Sequence, residues 1–170
     1  SSAASDVYKR QNALRVTGAT VTLDDVTVNK TAGATSNTEN GDFYGMNAGF
    51  LATDGATLTI TNSTVNTTAQ NGNGVFSYGS GTTVNVSDTT ITTTKDNSGG
   101  IQTTGGGTMN ATNLTVNTAG NSSAAIRTDR GGGTVVVDKG TYTSTGYNSP
   151  AVYSTANITV KNATLNAENS

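Results

Sequence analysis

One short pattern of apolar residues returns along this chain at a nearly constant step, and that step decides what the chain can fold into. Compare ATLTITNSTVNTTAQNGNGVFSYGSG from Ala56, TTVNVSDTTITTTKDNSGGIQTTGGG from Thr82 and TVVVDKGTYTSTGYNSPAVYSTA from Thr134. Each copy has an alternating strand, a polar break, a second short strand, a polar loop, then a third strand and glycines. Equivalent apolar positions are Val21, Leu58, Val84, Met109, Val135 and Ile158, and two residues later Leu23, Ile60, Val86, Ala111, Val137 and Val160. A third column is Val28, Val65, Ile91, Val116, Tyr142 and Leu165. A fourth, less complete, is Leu14, Val75, Ile101, Ile126 and Val152. The step is 25 or 26 residues, apart from one of 37 and one of 23.

Alternation places these columns on one face of each strand and Thr, Asn or Ser on the other. One copy cannot bury its apolar face alone. Stacking copies at ~4.8 Å gives each strand a neighbour and makes the columns continuous. The expected fold is therefore all-β: a parallel β-helix, or β-solenoid, of about six coils with three short strands each. Right-handed winding is the default for parallel crossovers, and the rod is roughly 25–30 Å long at that spacing. A β-sandwich is the rival, but it needs hairpin turns and would not hold register from copy to copy.

Composition agrees with a thin core. Leu, Ile, Val and Phe make up only 29 of 170 residues, against 35 Thr and 21 Gly, while the net charge is −2. Disorder pairs low hydrophobicity with high net charge, and this chain is nearly neutral. With no Cys and no His there is no disulfide, no thiolate and no imidazole. Scattered Lys and Arg give no footprint for nucleic acid, and no apolar run approaches the ~20 residues of a membrane span. The residues present suggest no cofactor, no metal and no catalytic group.

The second and third columns lie five residues apart in every copy. Between them stand Asp25, Asn62, Asp88, Asn113, Lys139 and Asn162. Asn and Asp tolerate the left-handed backbone best after Gly. This pattern resembles the short turn of pectate-lyase-like right-handed β-helices, in which such Asn side chains stack as a ladder. The resemblance covers residues 12–170 and speaks for fold more than for function, because that superfold hosts lyases, hydrolases, adhesins and phage fibres.

Residues 1–11, SSAASDVYKRQ, lie outside the repeat and resemble the translated adapter of a sequencing library. They are read as a non-native leader. Residues 12–170 are read as a β-helix fragment truncated at both ends, whose partners include the rest of a longer chain and whose open ends can self-associate.

The outward residues decide function. On the third strand the positions after the apolar column read Arg15, Phe50, Phe76, Gln102, Arg127 and Tyr153. Two further on they read Thr17, Ala52, Tyr78, Thr104, Asp129 and Thr155. Phe50, Phe76, Tyr78, Arg127, Asp129 and Tyr153 thus form a candidate binding strip, since aromatic faces and Arg or Asp forks suit sugar rings and hydroxyls. The resemblance implies that this sheet forms the substrate groove. The 37-residue step carries an eleven-residue insertion within TAGATSNTENGDFYGMNAG, which adds Phe43 and Tyr44 beside the strip. That loop either projects or folds its aromatics down as a local lid.

The leading expectation is a structural or adhesive segment of a secreted bacterial surface protein, at the cell surface or outside it, with a polysaccharide or host glycan as ligand. The alternative is a polysaccharide lyase or glycoside hydrolase fragment. That reading asks for two or three clustered carboxylates on this sheet, where Asp129 stands alone. Asp24-Asp25 falls at the ladder turn instead. A third reading is ice binding by the Thr file Thr27, Thr64, Thr90, Thr115, Thr141 and Thr164, although Asn interrupts the flanking file.

Overall fold

The computed structural model describes residues 12–31, 41 and 43–169, so the leader expected at residues 1–11 and much of the insertion lie outside the described residues. The chain is a parallel β-solenoid. Its strands are β1 (Leu14–Thr17), β2 (Thr20–Asp24), β3 (Thr27–Lys30), β4 (Phe50–Thr53), β5 (Thr57–Thr61), β6 (Thr64–Thr67), β7 (Val75–Tyr78) and β8 (Thr83–Ser87). They continue as β9 (Thr90–Thr93), β10 (Ile101–Thr104), β11 (Gly107–Thr118), β12 (Ile126–Thr128), β13 (Gly133–Ser144), β14 (Val152–Tyr153) and β15 (Asn157–Ala167). Sheet A stacks six strands in the order β1-β4-β7-β10-β12-β14, and the remaining strands make sheet B. In the last three coils one long strand, β11, β13 or β15, runs through the short turn, so sheet B bends without breaking. Six strands per file correspond to about five turns of chain.

The register is that of the repeat. Val21, Leu58, Val84, Met109, Val135 and Ile158 lie directly above one another. So do Val28, Val65, Ile91, Val116, Tyr142 and Leu165. These files, except for the exposed Leu165 at the end of the third, form one continuous core with Val75, Ile101 and Ile126 from sheet A. Each coil adds only a few aliphatic groups to it, which is why a chain so poor in apolar residues still folds.

The turn between the two halves of sheet B is set by backbone conformation. Asp25, Asn62, Asp88, Asn113, Lys139 and Asn162 all have positive φ, between 49° and 66°. Asn side chains at this turn link neighbouring coils: Asn113 Nδ2 donates to Asp88 Oδ1 at 2.8 Å, and Asn162 Nδ2 to Asp138 Oδ1 at 3.0 Å. A second left-handed file, not anticipated from the sequence, is Asn71, Asn97, Ser122 and Asn148, with φ of 51–56°. Just after it Ser98, Ser123 and Ser149 form a buried ladder. The backbone N–H groups of Gly72, Ser98 and Ser123 donate to the hydroxyls of Ser98, Ser123 and Ser149 at 2.9–3.0 Å. This ladder satisfies polar backbone where the chain leaves sheet B.

Tyr142 is the one aromatic ring in the third file. It is fully buried, and its hydroxyl donates to the Lys139 carbonyl oxygen at 3.1 Å. Burial pushes its phenol up to about 12. The folded state thus holds this proton more tightly than the unfolded chain, where a Tyr titrates near ~10. The stability contributed by neutral Tyr142 is full below about pH 10 and is lost as the pH rises through about 12. Urea melts across that window should show Tyr142→Phe gaining on the parent protein as pH rises. Parallel pH curves for the two proteins would contradict the assignment.

Candidate functional site

The outer face of sheet A carries the side chains expected to act, with one change of register. Phe50 pairs with Leu14 and Val75, and Leu51 pairs with Arg15 and Phe76. The outward file is therefore Arg15, Leu51, Phe76, Gln102, Arg127 and Tyr153. Phe50 does not belong to the strip: it points inward, is fully buried and packs in the main core. Ala52 is inward for the same reason and Thr53 is outward. The cause is a file of small residues, Ala13, Gly49, Gly74, Gly100, Ala125 and Ala151, that immediately precedes the inward apolar file. A Cβ on Gly74 would collide with Ile91 and the Gly100 carbonyl, and one on Gly100 would collide with Val116. Only small residues fit there, so Gly49 aligns with Gly74 and Phe50 must follow inward. Read this way, Phe50 fills the gap in the fourth apolar column.

The described end of the insertion lies against the sheet. Residues 43–48 cross its outer face as a strap. Ala48 and Met46 pack with Leu51, Phe76 and Tyr78 in a small second core outside the sheet. Gly45, at φ 66°, rests on the Phe76 ring; an added Cβ would stand 2.7 Å from that ring. Tyr44 meets Tyr78 edge to face at a centroid distance of 5.2 Å. The Phe43 carbonyl accepts a hydrogen bond from Thr104, and the Arg130 guanidinium stacks over the Phe43 ring at 4.0 Å. Asn12 Nδ2 ties the strap's base to the carbonyls of Gly45 and Ala48 at 2.7 and 3.1 Å. Phe43, Tyr44, Phe76 and Tyr78 are thus spent largely on one another and on the strap.

Among the clefts open on the described residues, two take in members of the outward file of sheet A. One, of about 250 Å³, is lined by Arg15, Tyr44, Met46, Leu51, Thr53, Asp54 and Tyr78. The other, of about 290 Å³, lies near the C-terminal end between Arg127, Tyr153, Ser122, Ala124, Asn148 and Pro150. Arg127 of the second cleft forms an ion pair with Asp129, which lines an adjoining cleft with Arg130 and Thr155; their side chains are 14% and 17% exposed. Arg127 also sits over the Tyr153 ring, 5.4 Å from its centroid, while Tyr153 is 46% exposed. Asp129 also shapes the glycine turn that follows, because its Oδ1 accepts the Arg130 backbone N–H at 2.8 Å. The cleft offers a charged fork held in place by its own counter-ion and an aromatic ring open to solvent. That arrangement can hold a hydroxylated ring by stacking and hydrogen bonding.

The Asp24-Asp25 pair serves the turn. Asp24 Oδ1 accepts from Thr61 Oγ1 at 2.7 Å and from Asn62 Nδ2 at 3.0 Å, which holds its carboxyl below the usual range. Asp25 occupies the left-handed turn. Among the described residues no three His, Cys, Asp or Glu side chains gather in a way that could hold a metal ion. No helix among them is long and apolar enough to cross a membrane.

The sequence separated outward from inward residues correctly on five of the six strands of sheet A and slipped by one residue on β4. The missed signal was the Gly or Ala before each inward residue. The Arg130–Phe43 stacking left no periodic trace, since it is made once. Compared with family models, curated proteins and solved structures, the chain matches none.

Proposed function

We propose that this chain is a structural and adhesive segment of a secreted bacterial surface protein, and that the cleft between Arg127 and Tyr153 is its contact for a glycan. The observation that carries this reading is the pairing, in one cleft, of an exposed tyrosine ring with an arginine that Asp129 holds in place from beside it. The outer face of sheet B supports the structural part. It consists of Thr and Asn files cross-linked by side-chain amides, as in Asn66 to Asn29 at 3.1 Å and Asn110 to Asn85 at 2.9 Å. Such a face is a solvated wall that keeps its spacing.

A glycan array probed with the full chain tests the proposal. Tyr153→Ala and Arg127→Ala should each weaken binding to the recognised sugars on the order of tenfold, the equivalent of about 1.4 kcal/mol. Both should leave the melting curve nearly unchanged, because neither side chain belongs to the core. Binding that survives both substitutions, or an array with no signal, would overturn the reading.

A further inference from the structure

Resting on the reading of the Arg127–Tyr153 cleft as a glycan contact, we infer that Asp129 decides which sugars it takes: by neutralising Arg127 it reserves the cleft for uncharged sugars and turns acidic ones away. Of the six described residues that line the cleft, Arg127 alone is charged. An arginine without a counter-ion would receive a sugar carboxylate through two parallel N–H···O bonds. Here that place is taken. Arg127 Nη2 donates to Asp129 Oδ2, and the guanidinium lies over the Tyr153 ring.

Asp129 is fixed where it stands. Its other oxygen, Oδ1, accepts the Arg130 backbone N–H at 2.8 Å. Its own backbone N–H donates to the Thr103 carbonyl in the coil below at 3.1 Å. A carboxylate arriving at Arg127 would therefore meet a second carboxylate that cannot swing aside, and like charges repel.

No further cation makes up the lost charge. The Arg130 guanidinium is stacked on Phe43, and Arg130 lines the adjoining cleft. On the opposite rim, next to Ser122, Asp96 Oδ1 accepts the Asn121 N–H at 2.9 Å, and Lys95 precedes Asp96 in the chain, one charge of each sign. The rest of the lining is uncharged: the Ser122 hydroxyl, the Asn148 amide, Ala124, Pro150 and the Tyr153 ring. Hydroxyl and amide both donate and accept, as sugar hydroxyls do. The aliphatic and ring surfaces suit the C–H face of a pyranose.

An array of neutral oligosaccharides beside uronic- and sialic-acid glycans, probed with the full chain, tests this. The parent protein should prefer the neutral members. Asp129→Asn is isosteric, keeps an acceptor for the Arg130 N–H and uncovers the charge of Arg127. It should raise binding to acidic over neutral sugars on the order of tenfold, and the gain should weaken with added salt. Adding Arg127→Gln to it should remove the gain. Circular dichroism melts check that each variant is folded. A parent that prefers acidic sugars, an Asp129→Asn variant with the parent's preference, or a gain that survives Arg127→Gln would overturn the inference and leave the glycan contact standing. No binding of any glycan by any of the three proteins would overturn both.

Discussion

Ile91→Asp is expected to abolish the cooperative melt of this protein. Ile91 has no exposed surface and lies in the third file between Val65 and Val116. Its methyl groups fill the space left by the absent side chain of Gly74, so the site has no room for water. A carboxylate there has no partner in the aliphatic file around it. Burying an unpaired charge costs several kcal/mol, a large share of the ~5–15 kcal/mol that holds a typical domain folded. The neighbouring Thr90→Asp points outward and should melt like the parent. Far-ultraviolet circular dichroism against temperature separates the two. A sharp, β-rich transition in Ile91→Asp would mean that the third file does not face the core.

Phe50→Ala is expected to cost about 3–5 kcal/mol, the usual range for emptying a buried phenylalanine site. The measurement is a urea midpoint at constant slope. The size of the effect follows from one residue of register. With Phe50 on the outer face its removal would be nearly silent, as most surface changes are within about ±0.5 kcal/mol. With Phe50 in the main core it leaves a cavity beside Leu14 and Val75, its partners in the adjoining coils. A loss below about 1 kcal/mol would return it to the surface.

The same residue shows why some of this molecule was legible and some was not. Contacts that repeat leave a trace at the repeat period. Val21 through Ile158 could be stacked from spacing alone, and the left-handed turn at Asp25, Asn62 and Asp88 could be placed from residue type. Phe50 follows an insertion, so the step that fixes its neighbours fails just where it is needed. Two adjacent apolar residues, Phe50 and Leu51, satisfy either register by hydrophobicity. The Gly49 before them decides it, through a steric limit that shows only when the coils are stacked. The strap is harder still. Thr104 bonds to the carbonyl of Phe43 across 61 residues, and Arg130 covers the same ring. Neither contact has a counterpart in another copy. Of the candidate strip, Arg127 and Tyr153 share one cleft with Asp129 paired to Arg127 beside it, Phe76 and Tyr78 lie against the strap, and Phe50 is inside.

Apart from the strap, whose Phe43 reaches Thr104 and Arg130 several turns away, each turn of the described residues is paired with the turn before and the turn after it. Force applied between the two tips of the rod therefore runs through the inter-turn hydrogen bonds in series. The weakest junction opens first, and the rest stay shut until the slack is taken up. An extension trace should show a train of small steps, each releasing about one 25- or 26-residue repeat, in place of a single rupture. A tether of this construction dissipates a pull gradually and winds itself up again, turn on turn, from whatever length remains intact.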